Sequence, residues 1–459
     1  MDCVINNNGC FIPNNNLTRK IRNVYSISVR LYNGFYKKVA CTFLTKDKKC
    51  QLPRYAAFQL KKSKLINNIS NKIKIKYNKI NYKFYATLTE NQTVVLNHLI
   101  KFVYTKNNKK EGSSLCVLQM DPGYGKTYVA ISLINYLKMK TMIIVPNIYL
   151  LNQWKSTLEF VFPGTKIGLY YGTEKSDGDI IIAVINSAIK YPDYKSIGLT
   201  VLDEAHMYCS KTFSKIFRVC QTCCVMGLTA TPKDRTDKLD KMLPWYLGSI
   251  IYADKIKGWR PGNISFSSTV LKVEYNCSLQ NAITEINEKN GMVSVPKMIN
   301  KFILDENRNR LIVSYALKLY KEKKNVFIFS DRRSHLHELY KMILVKGGNA
   351  VIEEKKTSVL MGGSTEKDID NAINKSAIIL TTYAYSSTGV SINKMNALIL
   401  ATPRKNNMKQ ILGRIFRLKG DQNKKRLIVD IVDNKTCLRN QYYTRKKIYT
   451  NNLQSSCIK

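Results

Sequence analysis

The sequence predicts two tandem doubly wound α/β domains preceded by a small basic domain. Three observations lead there. Continuous apolar runs over residues 115–119, 141–145, 179–185, 199–202 and 223–228 are separated by helix-like intervals. Runs that stay apolar rather than alternating belong to parallel strands covered on both faces. A similar series restarts after residue 297, with a helix over 311–321, a strand over 325–330 and a helix over 334–344. Strands over 377–381, 397–401 and 426–431 complete it. Finally, residues 1–85 carry 18 Lys and Arg against two acids, Asp2 and Asp47, which sets them apart from the rest of the chain. The expected organisation is a basic accessory domain over 1–85, a first α/β domain over 86–234, a connector over 235–296 and a second α/β domain over 297–459.

The elements follow in order. Short β-like runs over 24–31 and 38–44 lie among Asn-rich and Lys-rich stretches of the N-terminal block. Such a block reads as a grip on a nucleic-acid backbone; the alternative is a solvated accessory domain with no specific contact. Thr89-Glu90 can open a helix over 91–104, with Gln92 in its first turn. The strand over 115–119 runs into a glycine loop and then a helix over 128–137. The connector holds Pro244, Trp245 and Trp259-Arg260-Pro261-Gly262 with strand-like pieces but no sustained periodicity. The second series contains no glycine loop. Residues 441–459 read as an edge helix and a loose tail.

Composition narrows the function classes. The chain of 459 residues carries 74 Lys and Arg against 32 Asp and Glu, a formal charge of +42. That field attracts polyanions, nucleic acid first and an anionic membrane surface second, although A/T-rich coding accounts for part of the Lys and Asn excess. Twelve Cys without a signal-like N-terminus point to a reducing compartment and a soluble protein. Cys220-x-x-Cys223-Cys224 has only Cys209 and His206 nearby and no second pair at ligand spacing, which speaks against zinc. No apolar run reaches the roughly 18 residues of a membrane span.

The chemistry is carried by four short stretches. In Gly123-Tyr124-Gly125-Lys126-Thr127, Gly123 and Gly125 let backbone N–H groups approach phosphate. Lys126 offers charge to the β- and γ-phosphates, and Thr127 a hydroxyl to Mg²⁺. Asp203-Glu204-Ala205-His206 ends an apolar run: Asp203 would complete the metal site and Glu204 would deprotonate the attacking water. In Thr229-Ala230-Thr231, hydroxyls can bond His206 and Glu204. In Gln410-Ile411-Leu412-Gly413-Arg414-Ile415-Phe416-Arg417, the two Arg are three apart and so expected on one helical face, able to stabilise transition-state charge. Together these predict an ATPase using ATP and Mg²⁺.

The set Gln92, GYGKT, DEAH, TAT and QILGRIFR, in this order and spacing, resembles the superfamily-2 helicases over roughly residues 86–435. Val145-Pro146 with Gln153-Trp154 resembles motif Ia, Phe329-Ser330-Asp331 motif IV, and Thr381-Thr382 with Gly389-Val390-Ser391 motif V. The stretches 228–248 and 401–408 are similar to helicases of large nucleocytoplasmic DNA viruses that act in transcript release. The resemblance implies two RecA-like domains, with Gln92 and Gly389 at the nucleotide and Gln410, Arg414 and Arg417 acting on the γ-phosphate. It also implies 3′→5′ DNA unwinding with DNA-stimulated ATPase activity, a link to the viral transcription machinery, and packaging in the virion with action in the cytoplasmic virus factory. A monomer is expected. RNA as substrate, or a nucleic-acid clamp that never translocates, remains the alternative. Three residues depart from the pattern: Met120 where the loop usually has a small residue, Ser391 where Asp is frequent, and Asn186-Ser187 where Thr is common.

Overall fold

The computed structural model describes all residues except 8, 31–34, 74–78, 234–236, 261–267, 289–290, 349–355, 387–391, 393, 407, 416–424, 453–456 and 459. The chain forms two compact units, Met1–Pro261 and Gly262–Lys459. Among the described residues, no helix is long and apolar enough to cross a membrane.

An eight-stranded sheet organises the first unit. In spatial order its strands are Glu174–Lys175, Ile167–Tyr171, Ile180–Val184, Thr141–Val145, Leu199–Leu202, Cys224–Thr229, Leu115–Gln119 and Ile250–Tyr252. Every pairing is parallel except that of the two-residue edge strand Glu174–Lys175. The inner strands are buried along their whole length, as their unbroken apolar runs require. The last strand, Ile250–Tyr252, comes from the stretch read as connector.

The N-terminal block builds its own five-stranded sheet, in the order Phe43–Leu44, Lys49–Leu52, Gly9–Pro13, Cys3–Asn6 and Ile69–Asn71. A separate two-stranded ribbon pairs Ser26–Arg30 with Tyr36–Ala40. This block shares a buried core with one face of the eight-stranded sheet: Ile5, Ile12, Leu52 and Ala56 belong to the same cluster as Val117, Ile144, Leu243 and Leu247. The tie is polar as well as apolar. Arg54, in the helix Arg54–Lys62, is 2% exposed, and its guanidinium donates to the carbonyls of Gly112 (2.9 and 3.1 Å), Thr222 (2.5 Å) and Cys223 (3.3 Å). Burial pulls its pKa down from the ordinary value, so the cation is costly where it sits and is held there by carbonyl dipoles. Replacing Arg54 by Ala strands three buried carbonyls and is expected to destabilise the first unit by about 2–4 kcal/mol. A thermal melt checks this; an unchanged midpoint would mean that the block is not anchored through this residue.

The second unit is a seven-stranded, all-parallel sheet in the order Thr357–Leu360, Ile378–Thr382, Val326–Ser330, Ala397–Leu400, Arg426–Asp433, Ser268–Tyr275 and Cys457–Ile458. The helices Glu306–Lys321 and Arg333–Gly347 pack on it through Ile312, Val313, Leu336 and Leu339. Two buried ion pairs tie the strand Arg426–Asp433 to helices: Arg308 with Asp433 at 2.7 Å and Arg445 with Asp430 at 2.8 Å. The helix expected near the end of the chain spans Asn440–Asn452. Ser268–Tyr275 again comes from the stretch read as connector, which thus contributes a strand to each sheet.

Candidate functional site

Sheet order assembles the site. The strand Cys224–Thr229 lies between Leu115–Gln119 and Leu199–Leu202, all three parallel. Their carboxyl ends therefore bring Met120 and the glycine loop, Thr229, and the Asp203-Glu204 pair to one edge, where doubly wound sheets bind ligands. The loop is shaped by two glycines in the left-handed region, Gly123 (φ 89°) and Gly125 (φ 81°). The left-handed backbone at Gly125 disfavours any other residue, and a Cβ there, 2.3 Å from Gln92 Nε2, would also displace the Gln92 amide. Gly125 caps the twelve-residue helix Lys126–Leu137, whose first-turn N–H groups face anions favourably. Thr127 sits half-buried in that first turn.

Lys126 Nζ donates to the Met120 carbonyl at 2.9 Å, curling over the loop. The unusual Met120 is accommodated because its side chain points into the core, 1% exposed. Gln92 closes the loop from the other side. Its Oε1 accepts the Thr89 N–H at 2.9 Å, completing a capping box on the helix Glu90–Phe102, and its Nε2 donates to the Tyr124 carbonyl at 3.0 Å.

The carboxylates occupy different environments. Asp203 is 8% exposed; its Oδ2 accepts from the Trp154 indole at 2.8 Å and its Oδ1 from the Glu204 N–H at 3.0 Å. Burial and then the adjacent Glu204 charge push the Asp203 carboxyl up to about 6, while the Trp154 hydrogen bond and Lys126 pull the other way. Glu204 has φ +48°, a left-handed conformation rare outside glycine and often found where a side chain is held for chemistry. Its Oε2 is buried without a hydrogen-bond partner among the described residues, 3.4 Å from His206 Nδ1. Two crowded carboxylates thus stand at this edge, with Lys126 and His206 as the neighbouring basic groups. A hydroxyl from Thr127 and a carboxylate from Asp203 suit Mg²⁺, which keeps several waters and takes its other ligands from phosphate. Of the expected hydroxyl contacts, Thr229 Oγ1 meets His206 Nδ1 at 2.9 Å, but no hydroxyl reaches Glu204 Oε2.

Two partners here were not expected from the sequence. The sequence marks Trp154 only through its motif, yet its indole orients Asp203 across 49 residues. Trp259 packs against Tyr124 with ring centroids 5.2 Å apart, and Arg260 is fixed to the helix start by Asn91 (2.8 and 2.9 Å) and Glu90 (2.9 Å). The isolated Trp-Arg-Pro-Gly run was the available signal.

Beside this edge, a groove of about 770 Å³ is lined by Ile148, Tyr170, Tyr171, Asn186, Ser187 and Lys190 among others. Lys175 Nζ lies 4.1 Å from the Tyr170 ring centre and 3.3 Å from Ser187 Oγ. Ile148, next to the Val145-Pro146 stretch, and Asn186-Ser187 thus line one groove of the first unit.

In the second unit the helix Met408–Leu412 carries Gln410 and ends before Arg414. Arg414 and Ile415 continue as a tight turn with N–H bonds to the carbonyls three residues back, at 3.1 Å each. Arg414 thus lies beyond the helix rather than on a helical face, because Gly413 disfavours continuation. Its side chain is 3% exposed and lines a small apolar pocket with Phe327, Phe329, Thr381 and Tyr385. Arg417, Gly389 and Ser391 lie outside the described residues, as does the side chain of Gln410. Asp331, of the motif IV stretch, is paired with Arg404 at 2.8 Å.

Residues 64–234 match the family described as the type III restriction enzyme res subunit. A protein of African swine fever virus named as an ATP-dependent RNA helicase is 34% identical over 355 residues, covering 72% of this chain and 68% of the relative. The transcript termination protein of Yaba-like disease virus is 26% identical, covering 68% and 66% respectively. Among solved structures, a variant of S. cerevisiae Dbp5 bound to RNA and ADP BeF3 aligns over 83% of this chain and 95% of its own, with a TM-score of 0.51 and 14% identity, a likeness of fold. A phosphate loop and an acidic pair on one sheet edge, two parallel-sheet units, and a viral relative at this identity and coverage together place the chain in the family of viral ATP-dependent helicases, as an ATP-hydrolysing enzyme.

Proposed function

We propose that this enzyme is a 3′→5′ DNA helicase with DNA-stimulated ATPase activity that acts in viral transcription termination and transcript release. The observation that carries the catalytic part is the single sheet edge holding Lys126, Thr127, Asp203 and Glu204, with Lys126 electrostatically coupled to Asp203. In this reading Gly123, Tyr124, Gly125 and Lys126 bind the triphosphate, and Gln92 couples the loop to the nucleotide end of the helix Glu90–Phe102. Thr127 and Asp203 would hold Mg²⁺, which neutralises phosphate charge when bound. Trp154 keeps the Asp203 carboxylate in one orientation. Glu204 takes the proton from the attacking water, its carboxylate held beside Asp203 and His206 by a left-handed backbone. Gly389 belongs with the nucleotide, and Gln410, Arg414 and Arg417 with the γ-phosphate.

The transcription role is supported by the likeness to the transcript termination protein of Yaba-like disease virus. The same viral kinship supports the proposal that it acts in the host cytoplasm's virus factory and is packaged in the virion. The proposed organisation is a basic nucleic-acid-contacting block over 1–85, an ATP-binding domain over 86–234 and a second RecA-like domain over 297–459, with the 235–296 stretch joining them and giving one strand to each sheet. A second reading, an RNA helicase, is favoured by the name of the African swine fever virus relative.

The ATPase rate of the purified chain alone, with single-stranded DNA, with duplex DNA and with RNA separates these. Stimulation by DNA above that by RNA is expected, and a strand-displacement assay with tailed duplexes should show activity only from a 3′ tail. Stimulation by RNA alone sinks the DNA reading, and hydrolysis without displacement of any tailed duplex sinks translocation.

A further inference from the structure

We infer that Asp331 and Arg404 form a latch that sets the position of the segment leading to Gln410 and Arg414, and that both are positioning residues for ATP hydrolysis. This rests on the reading in which Gln410, Arg414 and Arg417 act on the γ-phosphate. It adds residues whose part is to hold that segment rather than to meet the phosphate.

Residues 401–406 link the strand Ala397–Leu400 to the helix Met408–Leu412 and belong to neither helix nor strand. An irregular segment has no ladder to fix it, so its backbone groups must be met from elsewhere. Here side chains meet them. Arg308 Nη1 donates to the Ala401 carbonyl at 2.6 Å, the Tyr383 hydroxyl to that of Thr402 at 2.7 Å, and Arg445 Nη1 to that of Arg404 at 2.8 Å. Arg308 and Arg445 are buried and ion-paired to the strand Arg426–Asp433, so losing either would unsettle the whole unit. Asp331 and Arg404 differ. Their side chains keep 15% and 28% exposure, so this link can be cut without opening the core. Asp331 stands just past the strand Val326–Ser330, which pairs in parallel with Ala397–Leu400. Its N–H donates to Thr402 Oγ1 at 3.0 Å, and its Oδ1 accepts from Arg404 Nη1 at 2.8 Å. Asp331 thus ties the carboxyl end of one strand to the outgoing segment of its neighbour.

These two strands are also where the strand order reverses. After Val326–Ser330 the chain builds Thr357–Leu360 and Ile378–Thr382 on one side, and after Ala397–Leu400 it builds Arg426–Asp433 on the other. Doubly wound sheets open their ligand crevice at such a point. The latch is continuous with the surroundings of Arg414. The Arg404 guanidinium lies 5.2 Å from the Tyr383 ring centre, Tyr383 stacks on Phe329 with centroids 5.6 Å apart, and Phe329 lines the pocket with Arg414. Stability is the ordinary explanation of an ion pair. It is weak here, because burial pushes the Asp331 carboxyl up although Arg404 pulls it down. A pair held against such a desolvation cost is often no more stable than apolar side chains in its place. What it supplies is a fixed spacing between two strand ends.

The test uses the full chain, steady-state ATP kinetics without and with single-stranded DNA, and thermal melts. Asp331→Ala and Arg404→Ala are each expected to lower kcat about 10- to 100-fold, with KM within about threefold and a melting midpoint close to the parent's. Arg404→Lys keeps a cation for Asp331 and should recover most of kcat. Coupling to the arginines is the readout that a purely structural role would not move. Arg414→Lys/Arg417→Ala removes both guanidiniums while keeping the pocket largely filled. In that background Asp331→Ala should lower kcat by less than about threefold further, because the groups it positions are already gone. Parental kcat in Asp331→Ala overturns the proposal, as does an undiminished further loss in the arginine background. If Arg414→Lys/Arg417→Ala itself turns over as the parent does, the reading of those arginines falls and the latch with it. If that variant is impaired and Asp331→Ala is not, the latch alone falls.

Discussion

Lys126→Ala and Glu204→Gln are each expected to cut ATP turnover by about 10²–10⁴-fold, by separable routes. Lys126 is the loop's charge for the β- and γ-phosphates, so its removal should raise KM and lower kcat together. Glu204→Gln preserves size and leaves the loop untouched. It removes the acceptor at a buried oxygen that has no hydrogen-bond partner among the described residues, so nucleotide binding should survive while kcat collapses. The left-handed backbone at Glu204 is shared by both side chains and contributes nothing to the difference. Steady-state kinetics with a fluorescent-nucleotide binding curve distinguish the two patterns. Near-parental turnover in the Glu204→Gln variant would mean that another group activates the water, and the Asp203-Glu204 assignment would have to be abandoned.

Local chemistry explains why this much of the site was legible in the sequence. Strands such as Thr141–Val145 and Leu199–Leu202 are buried throughout, so an unbroken apolar run is their direct signature. The loop residues are adjacent in the chain, and Thr89-Glu90-Asn91-Gln92 announces its own capping box. What escaped is what depends on distant pairing. Trp154 and Asp203 meet only because their elements pack on one sheet. Arg54 looks like an ordinary helix-start cation after Pro53, yet its acceptors lie 58 to 169 residues away. Ile250–Tyr252 is three residues long and half-exposed, and Ser268–Tyr275 alternates in exposure, so neither displays the continuous burial that marks the inner strands. Arg414 is the sharpest case. Its spacing from Arg417 reads as one helical face, but Gly413 intervenes and the helix stops at Leu412.

That ending shapes the last prediction. Arg417→Ala is expected to lower kcat by about 10³-fold or more with little change in KM, as for a guanidinium that acts on transition-state charge rather than on ground-state binding. Arg414→Ala should behave differently. Arg414 is 3% exposed and lines a pocket with Phe327, Phe329 and Tyr385, so deleting its side chain opens a void in the second unit and removes whatever charge it supplies to the phosphates. Both a lower melting temperature and lower turnover are expected. Arg414→Lys separates the effects: it retains the charge and much of the apolar stem but loses the planar fork. If the fork matters for phosphate, Lys restores the melting temperature and not the rate. If Arg414 is only a packing residue, Lys restores both, and the charge at the γ-phosphate then belongs to Arg417 alone. Turnover within about threefold of the parent in both Arg417→Ala and Arg414→Lys would remove the second unit from the chemical step. Hydrolysis would then run on the first unit's loop and carboxylates, with the second unit left to nucleic acid.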